Sequence, residues 1–499
     1  MLRGSLVGST SLFAFLMIGC GSSETPNNNP TTDTGVTTDT GGDAEVPDQI
    51  ALPCTDLEAT VYGDPGKLPA EKGAIIKCAK GERIDRATLD AKARKNGYTG
   101  KPFTSGAHVY RISYRTERGD PGNTAGYTSA IVYLPDTPRA AKSPLLLVGH
   151  GSRGQAAKCV PSLTSSAEGE YVRADFESQT LPLVGAGLPV IAPDGAGYAN
   201  YGAPNNIVNA YNSAADLGKS LLDGTRAFQK FAPSYLDGSV VLYGHSQGGH
   251  TALATLALSE SYGVQGTIKA VVTFAPLWLS QRSWGALNLL PDRFNFADYA
   301  GPNVVSIWYH YGHGELLDGP GHGGDVFKPE KRAQIKEFFD KVCWAAEYPL
   351  LKAMGTKPTD IFDPVFVDAI AAAAGVGGDC PTDEPKKSLC EKWIKRYLDD
   401  RPHLTGAAAK VPILFLYGNK DTTIPPDRVT CSRDRLKTDM ANLTWCVEPE
   451  ADHNTMMQRR ASYAIDWLLA RTSGGVEPAP CPLGEKDIPA TCDAIPPND

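Results

Sequence analysis

Ser246 is the residue whose neighbours most clearly indicate chemistry. It stands in the run Gly-His-Ser-Gln-Gly at 244–248, which follows the apolar residues 240–243 and precedes a helical pattern over 252–258. A Gly-x-Ser-x-Gly run between a strand and a helix is typical of a sharp turn that lifts a serine hydroxyl above a sheet. Glycines leave room for such a turn. The pattern therefore predicts a serine nucleophile.

Two further residues complete a possible catalytic triad. A serine hydroxyl reacts at neutral pH only beside a base, and that base needs an orienting carboxylate. Asp421 and His453 directly follow the last two predicted strands, in the order expected for a triad on a parallel sheet. Asp427 and Asp452 are rival acids. We prefer Asp421 to Asp452 because side chains of adjacent residues, such as Asp452 and His453, seldom converge.

The reaction of such a serine needs a site for a negatively charged oxygen. Backbone N–H groups stabilise this oxyanion, one from the residue after the nucleophile and one from the loop after the third strand. The first is Gln247. The loop is the run Gly-His-Gly-Ser-Arg-Gly at 149–154, where Ser152 is the expected donor and Arg153 the alternative. A Gly-rich turn with a purely structural role is the other interpretation of this run.

The remaining polar candidates have simpler interpretations. His245 is expected to pack beneath the turn as core support, and Asp194 is interpreted as part of a loop. A metal site is conceivable in one Gly-rich stretch, whose candidate ligands are His310, His313, His322 and Asp325. We interpret that stretch as a flexible loop, and we predict no metal and no organic cofactor.

Short apolar segments alternate with helical patterns along most of the chain. The segments 108–115 and 128–134 flank turn residues and predict an antiparallel pair. The almost wholly apolar segments that follow are typical of strands buried on both faces: 144–148, 188–192, 239–243, 268–274, 412–417 and 443–447. Helical patterns between them predict right-handed crossovers. The fold class is therefore α/β, with a mostly parallel eight-stranded sheet and Ser246 after its fifth strand.

One connection is much longer than an ordinary crossover. The segment 277–410 separates the sixth and seventh predicted strands and has helical patterns of its own. We predict a large helical cap there, inserted into a core made of 51–276 and 411–472. The Pro-rich residues 473–499 would form a C-terminal tail.

Composition narrows the possible partners. Hydrophobic residues make up 41% of the 499 residues and charged residues 21%, which is ordinary for a folded globular protein. The net charge of −8 argues against nucleic acid, because phosphate binding needs a basic face. No segment after the N-terminus is apolar enough to span a bilayer.

The first 50 residues predict export. Residues 1–19 combine Arg3 with a short apolar stretch, which is typical of a signal peptide. The stretch ends at Cys20 in the manner of a bacterial lipoprotein signal, so Cys20 is a candidate for lipidation; an ordinary secretory signal is the alternative. Residues 20–50 are almost all polar, Gly or Pro and predict a disordered tether. We expect a bacterial outer-membrane lipoprotein or cell-surface protein, or otherwise a periplasmic or secreted protein.

The cysteines fit an oxidising compartment. Eleven occur, so ten remain if Cys20 carries lipid. Spacing alone does not fix connectivity. Short loops favour three pairs, and elimination adds two more: Cys380 with Cys390, Cys431 with Cys446 and Cys481 with Cys492, then Cys54 with Cys78 and Cys159 with Cys343.

The chain resembles the secretory lipases, the lipase-A-like family of α/β-hydrolases. The resemblance covers about residues 55–470 and is weakest in the cap. It rests on the runs 61–65 through 114–116, 159–162, 193–198, 244–249, 418–425 and 452–454. It implies an α/β-hydrolase fold, hydrolysis of carboxylic esters including acylglycerols, and a cap that serves as lid and acyl-binding wall.

Taken together, these patterns predict an exported serine ester hydrolase acting through an acyl-enzyme. The expected partner is a small-molecule ester or acylglycerol, and the expected state is a monomer tethered to a membrane through Cys20. Two alternatives remain: a peptidase or acyltransferase with the same triad, and a surface-binding lipoprotein that uses the scaffold without catalysis.

Overall fold

A nine-stranded sheet organises the chain. The computed structural model describes residues 49–163, 170–198, 208–278, 300–344, 349–355, 357–374 and 378–481. The predicted signal peptide, Cys20 and all but the last two residues of the tether lie outside these ranges, as does the tail from residue 482. The strands are β1 Ile75–Ile84, β2 Ala107–Glu117, β3 Ala125–Pro135, β4 Ser143–Gly149, β5 Val190–Pro193, β6 Leu236–His245, β7 Thr267–Phe274, β8 Ile413–Gly418 and β9 Leu443–Glu448.

The sheet is antiparallel at one end and parallel over the rest. Its order is β1-β2-β3-β5-β4-β6-β7-β8-β9. The pairs β1/β2, β2/β3 and β3/β5 run antiparallel, and all later pairs run parallel. The predicted mostly parallel sheet is confirmed. The predicted number of eight strands is wrong because the edge strand β1 was missed.

Helices cover both faces of the sheet. Those of the core are α1 Glu58–Val61, α2 Arg86–Lys95, α3 Glu170–Gly185, α4 Ala214–Phe231, α5 Gln247–Tyr262, α12 Pro426–Thr438 and α13 Thr455–Thr472. Those between β7 and β8 are α6 Ala300–His313, α7 Arg332–Lys341, α8 Pro349–Met354, α9 Pro358–Ile361, α10 Pro364–Ala374 and α11 Lys386–Asp399. The predicted helical cap therefore lies where the long connection placed it.

The strands separate two hydrophobic clusters because successive side chains point to opposite faces. In β4, Leu145 and Leu147 join one cluster, while Leu146 and Val148 join the other. The first cluster packs under α4, α5 and α12, and it continues into the cap through residues such as Trp308 and Trp393. The second packs under α2, α3 and α13. The cap thus shares a continuous apolar core with one face of the sheet.

The disulfides confirm three predicted pairs and correct the other two. The confirmed bonds are Cys54–Cys78, Cys159–Cys343 and Cys380–Cys390. Cys446 bonds to Cys481. The predicted pairing of Cys431 with Cys446 is therefore wrong, and so is that of Cys481 with Cys492.

The correction leaves Cys431 and Cys492 without their predicted partners. Cys431 is disulfide-bonded, but to a cysteine other than Cys446. Cys492 was predicted to bond to Cys481, which Cys446 occupies instead. Cys492 itself lies outside the described residues.

The alternation of β9 explains the corrected pairing. Trp445 and Val447 face the cluster under α12, which carries Cys431. Cys446 faces the opposite cluster, against which Cys481 packs. Because short loops close more easily, loop length favoured a bond between Cys431 and Cys446 and another between Cys481 and Cys492. The pleat of the strand instead turns the Cys446 side chain away from Cys431 and towards Cys481.

No helix in the described ranges is both long and apolar enough to cross a bilayer.

Candidate active site

The predicted turn places Ser246 between the end of β6 and the start of α5. Its backbone has φ 55° and ψ −120°, a left-handed conformation that residues other than glycine rarely adopt. Three main-chain hydrogen bonds hold it: Ser246 N–H donates to Phe274 O at 2.9 Å, and Ser246 O accepts from Leu277 N–H at 2.9 Å and His250 N–H at 3.1 Å. The side chain is nearly buried, with 6% of the residue exposed.

The glycines around Ser246 are required by close backbone approach. A Cβ atom on Gly248 would lie 2.0 Å from the carbonyl oxygen of Gly149, and one on Gly244 would lie 2.1 Å from that of Gly248. Such distances are far below contact, so a side chain at either place would displace backbone. The start of α5 therefore packs directly on β6 and on the loop after β4.

Asp421 and His453 form a hydrogen-bonded pair. His453 Nδ1 lies 2.7 Å from Asp421 Oδ2. The other carboxylate oxygen, Oδ1, accepts the N–H groups of Thr423 and Ile424 at 2.9 and 2.8 Å. The Asp421 side chain is fully buried, and that of His453 is 11% exposed. Because a carboxylate fixes Nδ1 as the protonated nitrogen, Nε2 of His453 is left to accept a proton.

His245 connects this pair to the serine turn. Its Nε2 lies 2.9 Å from the main-chain oxygen of His453, and the two rings have centroids 4.5 Å apart. His245 directly precedes Ser246 and is 2% exposed. It is buried as expected, but it supports the His453 loop as well as the turn. All three predicted triad residues thus lie at the carboxyl ends of the strands β6, β8 and β9.

The rival acid Asp452 has a structural role at the start of a helix. Its Oδ1 accepts the N–H groups of Asn454 and Thr455 and the Thr455 hydroxyl, at 3.1, 2.9 and 2.8 Å. These bonds cap the start of α13, and the residue is exposed. The side chain of the other rival, Asp427, lies outside the described part of the structure.

The predicted oxyanion donors lie on two segments in contact. Gln247 is the first residue of α5, where helical N–H groups have no partner within the helix. The loop carrying Ser152 leaves β4 at Gly149, and the carbonyls of Gly149 and His150 face Gly248 closely. The N–H groups of Gln247 and Ser152 therefore belong to adjoining backbone segments beside Ser246.

Cap and core both hold the Ser152 loop. The Ser152 hydroxyl lies 2.6 Å from that of Tyr211, just before α4. Arg153 O accepts the Trp344 N–H at 2.9 Å, and Gly154 pairs with Cys343 as an isolated bridge. With the disulfide from Cys159 to Cys343, the cap is covalently joined to the segment after this loop.

Asp194 anchors the end of β5 to this region. Its carboxylate accepts hydrogen bonds from the hydroxyls of Ser129 and Ser162 and from Ser162 N–H. Burial raises the pKa of the Asp194 carboxyl to about 6, although these hydrogen bonds act in the opposite direction. The predicted loop residue is a fully buried structural acid.

The cap histidines correct one expectation. His310 and His313 were predicted in a flexible loop, but both lie buried on α6. His310 Nε2 lies 2.6 Å from the Tyr397 hydroxyl, and burial lowers the pKa of His310 to about 3. His322 and Asp325 form an exposed pair at 2.8 Å. Within the described ranges, no group of three or more His, Cys, Asp or Glu is arranged to hold a metal ion.

His313 joins the cap to Asp400, a buried acid just after α11. His313 Nε2 and the Tyr309 hydroxyl lie 2.7 Å from Asp400 Oδ2, and Oδ1 accepts the Ala214 N–H at the start of α4. Burial raises the pKa of Asp400, but His313 and these hydrogen bonds bring it below its ordinary value. The Asp400 carbonyl lies 2.6 Å from His250 Nε2 on α5. Asp400 therefore links the cap to the helix that begins beside Ser246.

Sequence reasoning missed Asp400, Tyr211 and the side chain of His150. The first two contact their partners only through the folded chain, so no local pattern marks them. His150 carried a signal, since it stands inside the predicted oxyanion loop.

Comparison with known proteins gives the family. The sequence profile described as the alpha/beta hydrolase family matches residues 145–466. No curated protein matches the chain in sequence.

Solved structures agree in fold. A putative hydrolase from Legionella pneumophila is 17% identical, with a TM-score of 0.60 over 80% of this chain and 98% of its own. Lipase A from Candida antarctica in its closed state is 16% identical, with a TM-score of 0.59 over 89% and 93%. The rice cell wall degrading esterase LipA from Xanthomonas oryzae is 16% identical, with a TM-score of 0.56 over 81% and 96%. At such identities the likeness shows the fold alone. Since the profile covers well over half of the chain, this protein belongs to the alpha/beta hydrolase family.

Proposed function

We propose that the protein is a serine hydrolase of carboxylic esters, of the lipase or esterase type, with Ser246, His453 and Asp421 as its triad. The observation that carries the proposal is the buried Asp421–His453 hydrogen bond of 2.7 Å, held by His245 against the turn that bears Ser246. A histidine whose Nδ1 is fixed by a carboxylate, next to a serine with a strained backbone, is the arrangement that nucleophilic catalysis requires.

The proposed reaction has two halves. In the first, the Ser246 hydroxyl attacks the acyl carbonyl while His453 Nε2 takes its proton and then passes it to the leaving alcohol. The oxyanion of the tetrahedral intermediate accepts hydrogen bonds from the N–H groups of Gln247 and Ser152. In the second, His453 takes a proton from water, which attacks the acyl-enzyme; His453 then returns that proton to the Ser246 oxygen as the bond to the acyl group breaks and the acid is released. Catalytic hydrogen bonds often tighten only when substrate is bound, and we expect this of the contact between Ser246 and His453.

The cap supports an ester substrate with an apolar acyl part. Its helices share an apolar core with the face of the sheet that carries α5, the helix that begins beside Ser246. Proteins of similar fold include one named as a lipase and one named as an esterase. We therefore propose that the cap serves as lid and acyl-binding wall.

The test replaces the nucleophile. Ser246→Ala is expected to lower kcat on p-nitrophenyl esters by at least about 10⁴-fold, because the acyl-enzyme forms on the Ser246 hydroxyl. The matched control is Ser261→Ala, since Ser261 is an exposed serine near the other end of α5. It should leave kcat within about twofold of the unchanged protein, because a surface substitution far from the site rarely has a larger effect.

A fluorophosphonate probe provides an independent readout. The unchanged protein and Ser261→Ala should be labelled, and Ser246→Ala should not. Labelling of Ser246→Ala, or full activity in it, would falsify the assignment. An unchanged protein that neither hydrolyses esters nor reacts with the probe would instead indicate a scaffold used for binding.

We also propose export and attachment through a lipid on Cys20. The support is the sequence of the first 50 residues, together with the four disulfides whose two cysteines both lie in the described ranges, which fit an oxidising compartment. Cys20→Ser should move the protein from the membrane fraction to the soluble fraction without changing its esterase activity. Equal membrane association of both forms would refute lipid attachment at this residue.

A further inference from the structure

His150 is a buried histidine next to the proposed oxyanion donor. It is 5% exposed and lies between β4 and Gly151. Its Nδ1 is 2.7 Å from the carbonyl oxygen of Gly151, and its Nε2 is 2.8 Å from the carbonyl oxygen of Asp194. The ring therefore spans from its own loop to the end of β5.

Both contacts require the ring nitrogen to be the hydrogen-bond donor. A carbonyl oxygen only accepts hydrogen bonds, so each ring nitrogen must donate to satisfy its partner. A neutral imidazole has only one N–H and would place a bare nitrogen against one of the two oxygens. The ring satisfies both contacts only when both nitrogens are protonated.

The Gly151 carbonyl shares a peptide group with the Ser152 N–H. In a trans peptide the C=O and N–H bonds lie in one plane and point in opposite directions. Whatever fixes the direction of the Gly151 carbonyl therefore fixes the direction of the Ser152 N–H. The ring of His150 holds that carbonyl on the side away from the N–H.

We propose that His150 is a positioning residue that acts as an imidazolium, holding the Gly151–Ser152 peptide so that the Ser152 N–H is aimed at the oxyanion. This inference rests on the proposed function, since it assigns a role within the same site. The positive charge also lies in the loop where negative charge develops in the transition state, which favours the reaction electrostatically.

The surroundings of the ring contain one acid and one base. The acid is Asp194, whose carbonyl accepts from His150 and whose carboxylate is buried beside Ser129 and Ser162. The base is Arg153, which is buried in the same loop and lowers the pKa of the Asp194 carboxyl. The Asp194 carboxylate favours a positive charge on His150 and the Arg153 guanidinium opposes it, so the two ring contacts are the observations that carry the proposal. The aromatic ring of Tyr198 lies beside the imidazole, with its centroid 5.9 Å away in an edge arrangement.

The first experiment observes the ring directly. Selective ¹⁵N labelling of histidine, with long-range ¹H–¹⁵N correlation near neutral pH, distinguishes protonated from bare ring nitrogens. His150→Gln assigns the signal. We expect both nitrogens of His150 to be protonated. His250 and His310 are neutral references, since burial lowers the pKa of each.

The second experiment measures catalysis in two variants. A glutamine at 150 donates from one atom only and cannot satisfy two opposed carbonyls. We expect His150→Gln to lower kcat by about 10- to 100-fold with KM within about twofold, somewhat less than the loss of a whole oxyanion donor. A boronic acid, which mimics the tetrahedral intermediate, should bind more weakly by the same factor. His150→Phe, which keeps a ring but no donor, should behave similarly.

Each outcome decides a different point. A bare nitrogen on His150, or unchanged kcat in His150→Gln, overturns the inference while leaving the triad in place. If His150→Gln lowers kcat, raises KM and lowers the thermal stability together, His150 is a structural residue, and this result also overturns the inference. If the unchanged protein hydrolyses no ester, the proposed function fails; the correlation spectrum still decides whether His150 is charged.

Discussion

At the scale of single residues, Ser246 is held in a conformation that the chain would otherwise avoid. A left-handed backbone at a non-glycine residue costs about 1–3 kcal/mol and persists only when its surroundings fix it. Phe274, Leu277 and His250 do so through main-chain hydrogen bonds. The strain keeps the hydroxyl at the strand end, where Asp421 and His453 also lie.

The choice between the two candidate acids can be tested by a matched pair of variants. Asp421→Asn should lower kcat by about 10⁴-fold, because an amide at this position no longer fixes the tautomer of His453. Asp452→Asn should keep most of the activity, because the hydrogen bonds of the Asp452 side chain cap α13. Ester hydrolysis and thermal unfolding of both variants check this, and a large loss of kcat in a well-folded Asp452→Asn would reverse the assignment.

The sequence was informative about residues whose roles depend on chain order. Ser246, Asp421 and His453 follow strands, and strands are visible as apolar runs. The contact of His150 with the Asp194 carbonyl and the choice of Cys481 by Cys446 depend on which way a side chain points in the folded protein. No spacing in the chain records that direction.

At the scale of elements, the cap and the core meet at Asp400. The Asp400 carboxylate accepts hydrogen bonds from His313 and Tyr309 on the cap helix α6 and from the first N–H of α4. A hydrogen bond to a buried charged group typically contributes about 1.5–3 kcal/mol. We expect Asp400→Asn to lower the free energy of unfolding by this amount near neutral pH.

The effect of Asp400→Asn should depend on pH with a definite sign. The pKa of the carboxyl is lowered in the folded state, below its ordinary 3.8. Its contribution is therefore fully present above about pH 4 and is lost as the pH falls through the folded-state pKa. Urea unfolding near pH 7 and near pH 3 should show the gap between Asp400→Asn and the unchanged protein closing in acid.

The neighbouring residue provides the control. Asp399 is exposed and pairs with Lys395 on the surface of α11. Asp399→Asn should change the free energy of unfolding by less than about 1 kcal/mol at either pH. An equal loss in both variants, or a gap for Asp400→Asn that widens in acid, would contradict the role given to Asp400.

Elements were predictable where their pattern was regular. The parallel strands and the cap helices α7, α10 and α11 have clear apolar periodicity. Strand β1 does not: it holds Lys77, Lys80 and Arg83, and its pairing with β2 shifts register twice. A charged, irregular edge strand protects a sheet from further pairing, and the same features conceal it in the sequence.

At the scale of the whole molecule, one disulfide closes a loop that contains three of the nine strands, β5, β6 and β7, and part of the cap. Cys159 and Cys343 are 184 residues apart, whereas Cys380 and Cys390 are 10 apart. Longer closed loops restrict the unfolded chain more. Replacing Cys159 and Cys343 by serine should lower the free energy of unfolding by about 4–5 kcal/mol. The loss from replacing Cys380 and Cys390 should be smaller.

The free energies of unfolding of the two double variants can be compared by denaturant unfolding, under conditions that keep the other disulfides oxidised. Non-reducing peptide mapping should first recover Cys446 joined to Cys481. If the variant that lacks Cys380 and Cys390 proves the less stable of the two, local packing in the cap outweighs loop closure.

The attachment of the cap at two distant places limits how a bulky molecule can reach the serine. One attachment is covalent, through Cys343, and the other consists of buried hydrogen bonds to Asp400. Lifting the cap as a rigid body would require both to break. If the cap is the lid proposed above, substrate entry requires local displacement of the parts of the cap between them. Reduction of the bond between Cys159 and Cys343 removes the first attachment, so we expect a reducing environment to make the cap easier to displace.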